Sequence, residues 1–359
     1  MTDLSQTRSV EIAWFGALCD DDYEFLGQPD PALRSSYPHC RDITLTADRL
    51  GYDNILLPSG YDLGIDTISF ASAVAPQVEQ MQLLTAVRMG EMWVPQLARQ
   101  LATIDQMLDG RLTINIISSD IPGEKLESAP RYQRTLEWMK VLRALLNRES
   151  VDFDGEFLQL QLDPPRLGTV SGTCPPFYFG GFSDSAKQTA AEEADVFLTW
   201  PDTVGAVGET INDMRGRAKE FDRELRYGLR AHVIVRETEG QAMEAADQLV
   251  SKLDDEVGAK IRGKSLDSAS VGVERQASLR ANADTDGFAE ENLWTGIGRA
   301  RSGAGAAIVG DPDQVVAKLE AYRDVGVDAF ILSGYPHIAE CELFAEHVLG
   351  RIEHGPLVG

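Results

Sequence analysis

Arg230 and His232 stand two residues apart in the run Tyr227-Gly-Leu-Arg-Ala-His-Val-Ile-Val-Arg-Glu-Thr238. Read as a strand, this run projects residues i and i+2 from one face. A guanidinium and an imidazole then point together from a strand of the kind that is normally apolar on both faces. Burying both costs desolvation energy unless an anion or a hydrogen-bond partner meets them. A bound anionic ligand is the simplest partner, and a buried carboxylate is the structural alternative. Drawn over Leu229–Val235, the strand carries both residues near its start, which sets them deep rather than at a mouth.

Other residues have chemistry available by type and place. Gly180-Gly181-Phe182-Ser183-Asp184-Ser185 follows an apolar run and opens a helix. Glycines admit close backbone approach, and a helix N-terminus offers free N–H groups to a phosphate. The plainer reading is a turn with Ser183 or Asp184 as N-cap. Asn115 interrupts the apolar run Leu112–Ile117, so its amide needs either a ligand or a neighbouring strand. Trp200 could stack on a ligand or pack at a rim. Ser333-Gly-Tyr-Pro-His337 offers a phenol and an imidazole for proton transfer, or a simple turn. Arg301 and Arg88 are open to two readings each, an anion partner or a solvated surface residue.

These residues need elements to position them. Candidate strands are Val10–Phe15, Asn54–Pro58, Gln82–Val87, Leu112–Ile117, Phe177–Gly181, Val196–Trp200, Leu229–Val235 and Ala329–Leu332. Helical periodicity fills the intervals. Pro95–Leu108 sets Leu97, Leu101, Ile104 and Leu108 on one face before Gly110. Tyr132–Leu146 repeats the pattern. Asp311 as N-cap, Pro312 at the first helical position and Gly326 as the stop frame another helix. Eight β–α alternations predict a (β/α)8 TIM barrel with insertions, a single domain over residues 1–359. A doubly wound open sheet is the rival, weakened because no G-x-G-x-x-G follows the first strand. Residues 147–176 and 253–305 are too long for ordinary connections and read as insertions, the second ending in a glycine-hinged loop able to close over a site.

The bulk properties set limits. A formal charge of -24 over 359 residues argues against nucleic acid and against an acidic membrane surface. Cys19, Cys40, Cys174 and Cys341 form no CxxC or zinc spacing, and with five histidines no bound metal is expected. There is no apolar stretch of membrane-spanning length, and Met1–Val10 lacks the apolar region of a signal peptide, so a cytoplasmic location is expected.

Several uncommon segments occur together and in order: Phe177-Tyr-Phe-Gly-Gly181, Leu198-Thr-Trp200, Arg230-Ala-His-Val-Ile-Val-Arg-Glu-Thr238, Leu253-Asp-Asp-Glu256, Asn292-Leu-Trp294, Ser302-Gly-Ala-Gly305 and Ser333-Gly-Tyr-Pro-His337. With them the chain resembles the bacterial luciferase-like flavin monooxygenases, most of all those that cleave alkanesulfonates. The resemblance implies a TIM barrel, reduced FMN (FMNH2) from a separate NAD(P)H-dependent flavin reductase, dioxygen as co-substrate, and a homo-oligomer, dimer or tetramer. It implies a sulfonate substrate cut at its carbon–sulfur bond to sulfite and a carbonyl compound. Carried over by position, Arg230, His232, Arg301, Tyr335 and His337 match active-site residues. Trp200 and His337 match pocket-lining positions, and Arg301 falls on a mobile loop. Asn115, Tyr132, Gly181, Phe182 and Ser183 match flavin-contacting positions.

One departure bears on the substrate. The alkanesulfonate members carry a cysteine after the second strand, where this chain has Pro58-Ser-Gly-Tyr-Asp-Leu-Gly-Ile-Asp66. The loop Cys19-Asp-Asp-Asp-Tyr-Glu24 is acidic besides. Carboxylates accept hydrogen bonds from hydroxyls, so a hydroxylated sulfonate such as sulfoquinovose, taken by a related branch, stands beside an alkanesulfonate. The rival readings are a luciferase-like monooxygenase with a non-sulfonate substrate, a flavin-binding barrel without turnover, and a metal-dependent barrel hydrolase.

Overall fold

A computed structural model describes residues 9–61, 64–263, 270–301 and 303–357. Residues 1–8, 62 and 63 in the Pro58–Asp66 stretch, 264–269 in the second long interval, Ser302, and residues 358 and 359 lie outside the described residues.

The strands in chain order are β1 (Glu11–Phe15), β2 (Asn54–Leu57), β3 (Gln82–Arg88), β4 (Leu112–Ile117), β5 (Val151–Asp154), β6 (Gln159–Leu162), β7 (Phe177–Gly180), β8 (Val196–Thr199), β9 (Arg226–Val235), β10 (Phe288–Glu290), β11 (Leu293–Trp294), β12 (Ala307–Gly310) and β13 (Ala329–Ser333). Parallel pairing runs β1-β2-β3-β4-β7-β8-β9-β13 and returns to β1. This closes an eight-stranded barrel with helices between the strands, the TIM fold. Each predicted strand is present to within a few residues.

Strand alternation builds the interior in layers. Ala13, Leu56, Leu84, Tyr178, Val196 and Ile331 form a dry middle with Phe15 above. Below it, Glu11 and Asn54 make a buried polar floor with the Tyr178 hydroxyl. The outer faces pack on helices such as Val94–Met107 and Ser128–Leu146 in the main core. The helix Pro312–Asp324 starts as its sequence indicated: Asp311 accepts from Gln314 N, and the Gln314 side chain answers in a capping box.

β9 corrects the strand boundary. It begins at Arg226 and runs ten residues, so Arg230 is its fifth and His232 its seventh. Its lower half pairs with β8 and β13, and its upper half, from His232, pairs with β12. The pair therefore sits in the upper part of the barrel and not at its base.

The two long intervals carry their own structure. Residues 147–176 hold the antiparallel β5–β6 ribbon. Residues 253–305 hold helices Asp255–Gly263 and Val271–Ala281, the β10–β11 hairpin and a short 3-10 turn over Gly296–Arg299.

Candidate active site

A cleft of about 330 Å³ opens at the C-terminal ends of β4, β7 and β8, the end where barrels of this kind gather their chemistry. Asn115, Tyr132, Gly181, Phe182, Ser183, Trp200 and Arg230 all line it. The sequence placed the Asn115 amide as buried; it is half-buried, on the cleft wall. Ser183 is the N-cap of the helix Asp184–Glu193, its hydroxyl accepting from Ala186 N, and it also lines the cleft. Gly181 is required by packing: a Cβ there would meet the Ala186 Cβ at 2.5 Å and the Tyr132 hydroxyl at 3.3 Å. Phe182 and Trp200 pack at 6.2 Å between ring centres and form an aromatic wall.

Arg131 also lines the cleft, and sequence reasoning missed it beside Tyr132. Its Nη1 reaches Asp120 at 3.2 Å, and its buried Nε has no partner. A partly unsatisfied guanidinium beside a helix N-terminus suits a phosphate. The cleft therefore fits FMN in size, aromatic walls and anion-binding groups.

The other predicted residues lie beyond this cleft, in a cluster that Arg230 joins to it. The Arg230 guanidinium donates from Nη1 to the Ala231 carbonyl at 2.6 Å and from Nη2 to Ser333 Oγ at 2.8 Å, and lies 4.2 Å over the Phe15 ring. Ser333 Oγ also meets His232 Nδ1 at 2.8 Å. With one proton and two lone pairs, Ser333 can donate to Nδ1 while it accepts from Arg230. We assign His232 the neutral tautomer with its proton on Nε2, an atom that makes no hydrogen bond of good geometry although the Ala304 backbone stands close to the ring. Burial, then the Arg230 and Arg301 charges, hold the His232 pKa well below the usual histidine value. Burial first, and Arg301 after it, push Arg230 down to about 9, which leaves it cationic at neutral pH.

Arg301 was open to a surface reading. Its Nη1 instead donates to Asp21 Oδ2 at 2.9 Å and to the Tyr335 hydroxyl at 2.6 Å. Burial opposes its charge, but Tyr335 and Asp21 outweigh that and hold its pKa above the ordinary arginine value. Burial likewise raises Tyr335, against the pull of Arg301. Tyr335 packs 5.0 Å from the His232 ring and 5.4 Å from the His337 ring. His337 is fully buried, and neither ring nitrogen has a partner. Arg88 is turned elsewhere, to Ser119 at 3.1 Å and Glu91 at 3.2 Å.

The acidic loop after β1 is less available than its sequence suggested. Asp20 binds the Ser35 N–H at 2.7 Å and approaches Arg34 at 3.5 Å. Asp22 holds His39 Nε2 at 2.9 Å and the His337 backbone N–H at 2.9 Å. Only Asp21 turns toward Arg301. Asp21, Ser333 and Phe15 are site residues that sequence reasoning did not single out. Phe15 and Ser333 had position as their one signal, at the upper ends of β1 and β13; Asp21 also had its place in the acidic loop, which did not tell it from Asp20 and Asp22.

The molecule is thus a TIM barrel with an aromatic-walled cleft and a buried cationic cluster at its upper end. The chain belongs to the luciferase-like monooxygenase family, whose profile matches residues 24–329. It is 62% identical over 357 residues to a sulfoquinovose monooxygenase of Novosphingobium aromaticivorans, covering 98% of this chain and 99% of that protein. It is 49% identical over 348 residues to a sulfoquinovose monooxygenase of Agrobacterium fabrum, covering 96% and 90%. Among solved structures, an EDTA monooxygenase from Chelativorans superposes with a TM-score of 0.77 at 15% identity, covering 96% of this chain and 93% of that one. The oxygenating constituent of a diketocamphane monooxygenase from Pseudomonas putida, solved with FMN, gives 0.71 at 15%, covering 96% and 99%. At these identities the structures speak to the fold.

Proposed function

We propose that this chain is an FMNH2-dependent monooxygenase that cleaves the carbon–sulfur bond of sulfoquinovose, releasing sulfite and a carbonyl compound. The observation that carries the reading is Arg230, a buried cation with no carboxylate partner among the described residues, in a chain 62% identical to a sulfoquinovose monooxygenase. A sulfonate supplies the missing anion.

Arg131, Ser183 and the helix N-terminus behind it would hold the FMN phosphate, and Tyr132, Phe182 and Trp200 would flank its ring system. Reduced FMN, when bound, supplies the two electrons that activate dioxygen. One oxygen atom ends in the carbonyl product and the other in water, while sulfite leaves with the carbon–sulfur electron pair. The protein's part is to hold and to shield. Arg230 and Arg301 grip sulfonate oxygens by charge-assisted hydrogen bonds. Neutral His232 presents Nε2–H as a donor, and Tyr335 is positioned by Arg301. The loop carrying Arg301 covers the site and excludes water. The reduced flavin comes from a separate NAD(P)H-dependent reductase.

The test is sulfite release by the purified chain with a flavin reductase, FMN, NAD(P)H and either sulfoquinovose or an alkanesulfonate. Sulfite from sulfoquinovose above the reductase-only control is the expected result. No sulfite from either substrate sinks the proposal, and sulfite from the alkanesulfonate alone corrects the substrate.

A further inference from the structure

Around Tyr335 the protein leaves two kinds of bonding capacity unused, and they suit different parts of one ligand. Arg230 and Arg301 are donors and match a sulfonate. Asp21 is not. Its Oδ2 takes Arg301 at 2.9 Å, while its buried Oδ1 has no partner. A carboxylate oxygen only accepts and repels a sulfonate, so the group that fills Oδ1 must be a donor. His337 is the second case. Its backbone N–H is fixed by Asp22 at 2.9 Å, and its ring lies 6.0 Å from Phe15 and 5.4 Å from Tyr335. Both ring nitrogens are buried without partners. Burial first, and then Arg230 and Arg301, outweigh Asp22 and Asp21 and hold its pKa below the usual value. The neutral ring offers one donor and one acceptor. A hydroxyl is the group that can both donate and accept.

We propose that Asp21 and His337 form a hydroxyl-binding subsite for a polyhydroxylated sulfonate, with Asp21 the member that favours it over a plain alkanesulfonate. The inference rests on the sulfonate reading above. It assigns the acidic loop a narrower part than its sequence suggested: one carboxylate, Asp21, meets the substrate, while Asp20 and Asp22 hold the loop and His337 in place. Arg301 is shared, since it can touch the sulfonate from a position fixed by Asp21 and Tyr335.

The test compares two ligands. Sulfite release from sulfoquinovose is measured with reductase and FMN present, for the native chain, Asp21→Asn, His337→Phe and His337→Gln. Methanesulfonate, which has the anion and no hydroxyl, serves as competitive inhibitor. Leaving buried groups unpaired predicts a fall of about 10- to 100-fold in kcat/KM for sulfoquinovose with Asp21→Asn and His337→Phe. The methanesulfonate inhibition constant should stay within about threefold for His337→Phe, while Asp21→Asn, which also loosens Arg301, should weaken methanesulfonate less than it weakens sulfoquinovose. His337→Gln, which keeps a donor and an acceptor, should retain more activity than His337→Phe. An equal loss on both ligands overturns the subsite and leaves the sulfonate reading standing, as does unchanged sulfoquinovose turnover. Failure of methanesulfonate to inhibit the native chain also overturns the division. Absence of sulfite from the native chain with sulfoquinovose removes both readings.

Discussion

Arg230 is held by two main-chain carbonyls, one serine hydroxyl and an aromatic face. Ser333 is the hinge of this arrangement because its single oxygen serves Arg230 and His232 together. Ser333→Ala leaves an Nη2 and an imidazole nitrogen buried and unpaired, at roughly 1–3 kcal/mol. We expect kcat/KM for sulfite release to fall about 10- to 100-fold, with the thermal unfolding transition lowered. Arg230→Ala removes the charge itself and should cost roughly 100-fold or more through the lost charge-assisted bonds. Sulfite release unchanged in Arg230→Ala would remove Arg230 from the mechanism. This pair was legible in the sequence because strand spacing alone puts i and i+2 on one face. Asp21 was not legible. Three consecutive aspartates look alike in sequence, and which one turns inward is decided by the Ser35 and His39 contacts that take the other two.

At the scale of elements, the barrel strands were legible because both faces are apolar and glycine or proline bounds most of them. β12 was not, because Ala307–Gly310 follows a small-residue run with no strong periodicity; it pairs with the part of β9 that runs past its barrel neighbours and, on its other side, with β11. The helix Val271–Ala281 was also unplaced by sequence, and it ties the two halves of the site together. Its start, at Val271 and Gly272, lines the cleft beside Trp200. Further along, buried Gln276 donates to the Pro201 carbonyl at 2.7 Å and accepts from the Gly305 N–H at 2.9 Å. Arg280 binds the Gly298 carbonyl at 2.6 Å. The Arg301 loop is thereby fastened to the helix that borders the cleft. Gln276→Leu breaks both links and strands a buried N–H and a carbonyl. We expect KM for the sulfonate to rise about tenfold while the FMN dissociation constant changes less than threefold. Equal weakening of both ligands in titration would mean that Gln276 supports the fold and not the loop.

At the scale of the whole molecule, the barrel has two polar ends with a dry layer between them, and among the described residues the upper end is the one with bonding capacity to spare. At the lower end Glu11 accepts from the Tyr178 hydroxyl at 3.1 Å and the Leu357 N–H at 3.4 Å. The C-terminal tail closes over it, with Gly355 N bound to the Val10 carbonyl at 3.0 Å and His354 paired to Asp53 at 2.9 Å. Burial, with a smaller push from Asp53, raises the Glu11 pKa to about 7. The folded protein therefore holds this proton where the unfolded chain, near the ordinary 4.5, has released it. Its contribution to stability is full below pH 4.5, declines as pH rises to about 7, and is flat above. The His354 pKa is also raised, chiefly by its bond to Asp53. That stabilisation is present below the ordinary 6.5 and is lost as pH climbs through the raised value. Both groups thus make the closed lower end weaker in mild alkali. Glu11→Gln keeps an acceptor for Tyr178 and has no charge to bury. The variant should be the more stable chain at pH 8, by on the order of 2–3 kcal/mol, with the advantage shrinking toward pH 5. Melting curves of both chains at the two pH values measure this, and the expected gap at pH 8 is several degrees. A constant gap across the range would mean that Glu11 does not titrate there, and a less stable variant at pH 8 would mean that the charged carboxylate itself holds the tail.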